Sequence, residues 1–149
     1  MYPRVVARVL VIDDEAPIRL LCRINLEADG LEVLEASDGA AGLELAREEH
    51  PDVVLLDLML PTLSGWEVAE ELVADERTSA IPIVLFTAHS EVGERARKLD
   101  IGGLAYLSKP FSPFDVAPLV RSLIATAESG ELDEQRVEKL AELRSLSRG

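Results

Sequence analysis

The chain has 149 residues, the size of one domain at about 150 residues per domain, and its formal net charge is −13. That acidity argues against direct DNA binding and against an anionic membrane surface, because both attract cations. A hydrophobic share of 48% excludes a disordered acidic chain, and a single cysteine, Cys22, permits no internal disulfide, so a reducing, cytoplasmic setting is expected.

Taken in chain order, the first apolar run is Val9, Leu10, Val11 and Ile12, too short for a signal peptide or a membrane span. It is apolar on consecutive residues, as a strand buried on both faces must be. Ile18, Leu21, Cys22 and Leu26 then follow helical spacing, and Gly30 stands where that helix would end. A weaker run over residues 31–36 predicts an outer strand. Asp38 can cap a second helix that stops near His50, before Pro51.

The second strong run is Val53, Val54, Leu55 and Leu56, followed by a helix over about residues 65–75 with Trp66, Ala69 and Val73 facing inward. Ile83, Val84, Leu85 and Phe86 form the third strong run, and a helix spans residues 91–99. Residues 104–107 predict a last strand, and Ser112-Pro113 opens a fifth helix reaching about residue 127, with Pro118 awkward inside it. Strict alternation of five strands and five helices predicts a doubly wound α/β domain with a parallel sheet.

Residues 128–149 differ. Gly130 breaks the fifth helix, and Leu132, Val137, Leu140 and Leu143 make a loose apolar stripe among charges. This reads as an acidic helical tail packed lightly on the domain, with a dimerisation or docking helix as the sharper alternative. The division expected is a domain over residues 1–127 and a tail over 128–149, with no output domain.

In open α/β sheets ligands bind where strands end at their carboxyl edge. Asp13-Asp14-Glu15 follow the first strand, Asp57 ends the third, Thr87-Ala88 follow the fourth and Ser108-Lys109-Pro110 follow the fifth. Carboxylates crowded together repel one another unless a cation sits among them, and an all-oxygen set suits Mg²⁺. Such a pocket then welcomes phosphate oxygens, with Lys109 as a second positive charge and Thr87 as a hydrogen-bond donor. An aspartate carboxylate can itself be the nucleophile in phosphoryl transfer.

These residues resemble the receiver domain of bacterial two-component response regulators, in its single-domain, chemotaxis-receiver-like form. The matching motifs are Val9-Leu10-Val11-Ile12-Asp13-Asp14-Glu15, Asp52-Val53-Val54-Leu55-Leu56-Asp57-Leu58-Met59-Leu60-Pro61, Pro82-Ile83-Val84-Leu85-Phe86-Thr87-Ala88 and Tyr106-Leu107-Ser108-Lys109-Pro110-Phe111. The resemblance covers about residues 7–127. It implies a five-stranded, flavodoxin-like sheet of order 2-1-3-4-5, a common doubly wound order that chemotaxis receivers adopt.

The resemblance also implies roles. Asp57 would be the phosphoacceptor, and Asp14, Asp57 and the Met59 carbonyl would bind Mg²⁺ directly, with Asp13 acting mainly through water. Lys109 would pair with the phosphoryl oxygens, Thr87 would swing toward the phosphate, and Tyr106 would change rotamer with it. The backbone of Met59 and of Ala88 would contact the phosphate, for which Ala88 leaves room; Met59 and His89 lie where family members tune acyl-phosphate lifetime; the Lys109–Pro110 bond would be cis. Gly102-Gly103-Leu104-Ala105 departs from the family, which usually carries an acidic pair there.

The resulting expectation is a phosphorelay receiver, not an enzyme beyond Mg²⁺-dependent self-phosphorylation and autodephosphorylation. It would take phosphate from a sensor histidine kinase or histidine phosphotransfer protein and signal through its fourth helix, fifth strand and fifth helix to a target protein. Direct DNA binding and membrane contact are not expected, and a homodimer is left open. One rival is a nucleotide-binding enzyme on the same architecture, disfavoured because Asp13-Asp14-Glu15 stands where a phosphate-binding glycine loop would be. The other is a phosphorylation-independent interaction module.

Overall fold

In the computed structural model, which describes residues 6–88, 90–99, 101–109 and 111–147, side-chain alternation along the strands sorts two cores. The strands are β1 (Arg8–Ile12), β2 (Glu32–Ala36), β3 (Val53–Asp57), β4 (Ile83–Thr87) and β5 (Leu104–Ser108). The helices are α1 (Ala16–Ala28), α2 (Gly39–Glu49), α3 (Gly65–Ala74), α4 (Ser90–Leu99), α5 (Val116–Glu128) and α6 (Arg136–Ser147). All strand pairings are parallel and the order is β2-β1-β3-β4-β5. This is the flavodoxin-like sheet implied by the resemblance.

Val9, Val11, Val53, Leu55, Val84 and Phe86 point to one face, where Cys22 and Leu26 of α1 and Val116, Val120 and Leu123 of α5 cover them. Leu10, Ile12, Val54, Leu56, Ile83 and Leu85 point to the other, beneath α2, α3, α4 and α6. A strand buried on both sides cannot afford polar residues at either parity, so its sequence is one unbroken apolar run.

Local chemistry fixes several helix ends. The Asp38 side chain accepts from the Ala41 N–H and Ser64 from the Glu67 N–H, each satisfying a donor that the first turn leaves open. Gly30 follows α1 at φ +83°, a left-handed conformation that glycine adopts without a side-chain penalty. The start of α5 differs from the sequence reading. Residues 113–115 form a 3-10 turn, the Ser112 side chain makes no capping bond, and the α-helix begins at Val116. Pro118 explains the delay, because an α-helix running back through Phe114 would press the proline ring against that residue's carbonyl.

The tail is also more deeply seated than a lightly packed helix. Leu140 and Leu143 are fully buried in the same core as Val92 and Leu104, while Val137 of the same stripe is exposed. Among the described residues no helix is long and apolar enough to cross a membrane.

Candidate functional site

Strand register decides what meets at the carboxyl edge. Ile12 lies opposite Leu56 and Asp57 opposite Phe86, so Asp13, one residue past β1, stands level with Asp57 at the end of β3. Thr87 lies opposite Ser108, which places Lys109 just beyond it, and the Lys109 N–H donates to the Thr87 carbonyl at 3.0 Å.

Asp13 and Asp57 are both buried, whereas Asp14 is exposed. One carboxylate oxygen from each of these three lies within 4.8 Å of the others. The Asp13 carboxylate accepts from the Glu15 N–H at 2.9 Å and from Lys109 Nζ at 2.9 Å. Asp57 Oδ1 accepts from the Met59 N–H at 3.0 Å, and its Oδ2 lies 3.3 Å from Lys109 Nζ. Lys109 also reaches Glu15 at 3.3 Å. One ammonium therefore bridges the carboxylates after β1 and β3, which places it beside any phosphoryl group carried on Asp57.

The charges perturb one another in the expected directions. Burial raises the Asp13 carboxyl above its usual range, helped by the nearby charge of Asp57 and opposed by the Glu15 N–H and Lys109. Burial works against the Lys109 ammonium, but its hydrogen bond to Asp13 and the charges of Asp13 and Asp57 hold its pKa above the ordinary lysine value. Lys109 is thus a fixed cation, and the acidic cluster retains room for a second one. Three carboxylates with no histidine or thiolate among them form a hard oxygen donor set, which fits Mg²⁺ better than zinc or copper.

The switch residues are also brought together. Thr87 is buried at the end of β4, and the Tyr106 hydroxyl donates to its carbonyl at 3.0 Å. Met59 is largely exposed at the rim, and Asp14, Met59, Trp66, Thr87 and Val92 line one hollow beside the carboxylates. Ala88 follows Thr87 and is exposed. Trp66 is both core and lining. His89 and the Lys109–Pro110 bond lie outside the described residues.

Two supporting residues had no sequence signal. Arg19 of α1 donates to the Asp13 carbonyl at 2.7 Å and pairs with Glu35 at 3.2 Å, a backbone contact that no motif spacing reveals. Gly65 starts α3 directly on the end of β3. A Cβ there would collide with the Asp57 carbonyl, so only glycine lets the helix approach so closely.

A carboxylate cluster and a lysine at the carboxyl edge of a 2-1-3-4-5 parallel sheet define the CheY-like class of receiver folds. The sequence profile of the response regulator receiver domain matches residues 9–121, and the chain belongs to that family.

Among curated proteins, it is 41% identical over 117 residues to the DNA-binding dual master transcriptional regulator RpaA of Synechocystis, covering 78% of this chain and 48% of that protein. It is 37% identical over 123 residues to the phosphate regulon regulator PhoB of Pseudomonas aeruginosa, covering 83% of this chain and 54% of that one. The chain spans about half the length of the curated relatives it matches. Among solved structures, a receiver domain protein from Clostridium thermocellum superposes with a TM-score of 0.72 at 31% identity, covering 83% of this chain and 98% of that one. The chemotaxis protein CheY4 of Vibrio cholerae gives 0.69 at 27% identity, covering 79% and 98%.

These relatives correct one expectation. The absence of direct DNA binding, inferred from net charge, is overturned by relatives that are transcriptional regulators, RpaA being named as DNA-binding. The physical reason is that the net charge of a receiver-sized stretch, about half the length of such regulators, does not govern how the remainder meets DNA. Such a segment can be acidic while DNA is contacted by another part of the same kind of protein.

Proposed function

We propose that Asp57 is the phosphoacceptor of a two-component phosphorelay, working in the cytoplasm. A carboxylate oxygen of Asp57 would attack the phosphorus of a phosphohistidine on a sensor histidine kinase or phosphotransfer protein. The P–N bond breaks, its electron pair returns to the imidazole, and an acyl phosphate forms on Asp57. The observation that carries this reading is the position of Asp57, buried at the end of β3 with Lys109 Nζ at 3.3 Å and the Asp13 and Asp14 carboxylates alongside.

Asp14, Asp57 and the Met59 carbonyl would hold Mg²⁺, with Asp13 acting through water; the ion would neutralise charge on the transferring group. Lys109, 3.3 Å from the Asp57 carboxylate, would pair with the phosphoryl oxygens. Thr87 offers its hydroxyl to the modified site, with the Ala88 N–H as a second donor, and Tyr106 follows Thr87 through their shared hydrogen bond. Chemistry in the chain itself is limited to self-phosphorylation and autodephosphorylation. Its transcription-regulating relatives support gene expression as the output.

Incubation with Mg²⁺ and acetyl phosphate, followed by intact mass measurement, tests the reading. The wild type should gain one phosphoryl group and Asp57→Ala none. Equal labelling of both would sink it.

A further inference from the structure

Gly102 and Gly103 are the seat of the C-terminal segment. The Asp133 N–H donates to the Gly102 carbonyl at 2.9 Å, and a Cβ on Gly102 would strike the Glu131 carbonyl. Gly103 sits at φ +88°, and a Cβ there would strike Leu132. Its carbonyl accepts from Arg136 Nη1 at 3.2 Å; the same nitrogen reaches the Ile81 carbonyl at 3.1 Å, and Nη2 reaches that of Ser79. A buried guanidinium thus ties the start of α6 to the segments that lead into β4 and β5.

Beyond that anchor, α6 wedges between α3 and α4. Leu140 and Leu143 fill the core against them, Arg144 pairs with Glu70 at 2.8 Å, and Arg95 Nε of α4 reaches Glu142 at 3.1 Å. The opposite side of α4 meets the switch. Gly93 has no Cβ and so lets the Tyr106 ring, whose hydroxyl donates to the Thr87 carbonyl, pack directly against the helix. An unbroken line of contacts therefore runs from α6 through α4 and Tyr106 to Thr87.

We propose that α6 is a brace that fixes α4 against Tyr106, so that docking of residues 131–147 and modification of Asp57 are thermodynamically coupled. The coupling to Asp57 rests on the phosphoacceptor reading above. A phosphoryl group that draws Thr87 toward it favours an arrangement in which the Tyr106 bond and the seat of α4 are altered. Contacts of α6 made to the present arrangement then weaken. Linkage is reciprocal: loosening α6 must favour the modified arrangement by the same factor.

Amide hydrogen exchange on the full chain tests this, with and without Mg²⁺ and acetyl phosphate. Peptides covering residues 136–147 should exchange several-fold faster once Asp57 is modified. Gly102→Ala, which displaces the Glu131 carbonyl without touching α4 or α6, should speed the same peptides without phosphate and raise the labelling rate several-fold. Leu140→Ala should act in the same direction. Unchanged α6 exchange in protein whose labelling is confirmed by mass would overturn the brace. So would variants that loosen α6 yet leave both the labelling rate and exchange across residues 90–108 unaltered. If the wild type takes no label, the phosphoacceptor reading fails by itself. The response of residues 90–99 to Leu140→Ala then decides the brace, faster exchange supporting it and unchanged exchange refuting it.

Discussion

Cys22 shows how a buried residue outside the acidic cluster constrains the pH behaviour of the chain. Burial, with the charge of Asp13 adding to it, pushes its thiol from 9.0 up to about 12. Between those values the unfolded chain loses the thiol proton while the folded chain keeps it. The unfolded state binds fewer protons there, so folding stability falls as pH rises above the ordinary thiol value, by up to about 1.4 kcal/mol per pH unit. Urea midpoints measured from pH 8 to 11 should decline, and Cys22→Ala should flatten that slope while lowering the starting value through a small cavity. At this scale the sequence was most legible where a polar residue directly follows an apolar run, as Asp13, Asp57 and Thr87 do, with Lys109 one residue beyond the fifth strand. Arg19 was illegible because it acts on a backbone carbonyl, and such contacts impose no residue type at any spacing.

At the level of elements, β1, β3 and β4 were readable because burial on both faces leaves each as a continuous apolar stretch. The outer strand β2 carries Glu32 and Glu35 and was correspondingly faint. The contact between α3 and β3 was not readable, since Gly65 looks like any residue near a helix start until the Asp57 carbonyl is placed beside it. Gly65→Ala should force α3 off the strand end, because both clashing groups are backbone and neither can rotate away. A loss of roughly 1–3 kcal/mol is expected, read as a lower urea midpoint with an unchanged slope. Phosphoryl labelling should slow in the same variant, because the displaced atoms carry Asp57. Wild-type stability in Gly65→Ala would show that α3 tolerates a wider seat.

For the whole molecule, acidity has two separable parts. Most of the −13 is spread over the surface, whereas the Asp13, Asp14 and Asp57 group is concentrated at one edge, where Lys109 pairs with Asp13 and Asp57. A cation that binds the folded chain and not the unfolded one raises stability by mass action. Millimolar Mg²⁺ should therefore raise the thermal midpoint, and Asp14→Asn should remove most of that rise; an equal rise in both would disprove the site. The integration of α6 was the least legible feature at this scale. Its stripe of Leu132, Val137, Leu140 and Leu143 is interrupted by charges, and the groove that receives it depends on two glycines some thirty residues earlier in the chain. Trp66 gives the molecule a further property. It is the sole tryptophan, and its indole lines the same hollow as Asp14, Met59 and Thr87. The protein thus carries its own optical probe, a single indole beside the acidic edge that can be excited apart from the tyrosines, through which events there can be followed in real time without attaching a dye.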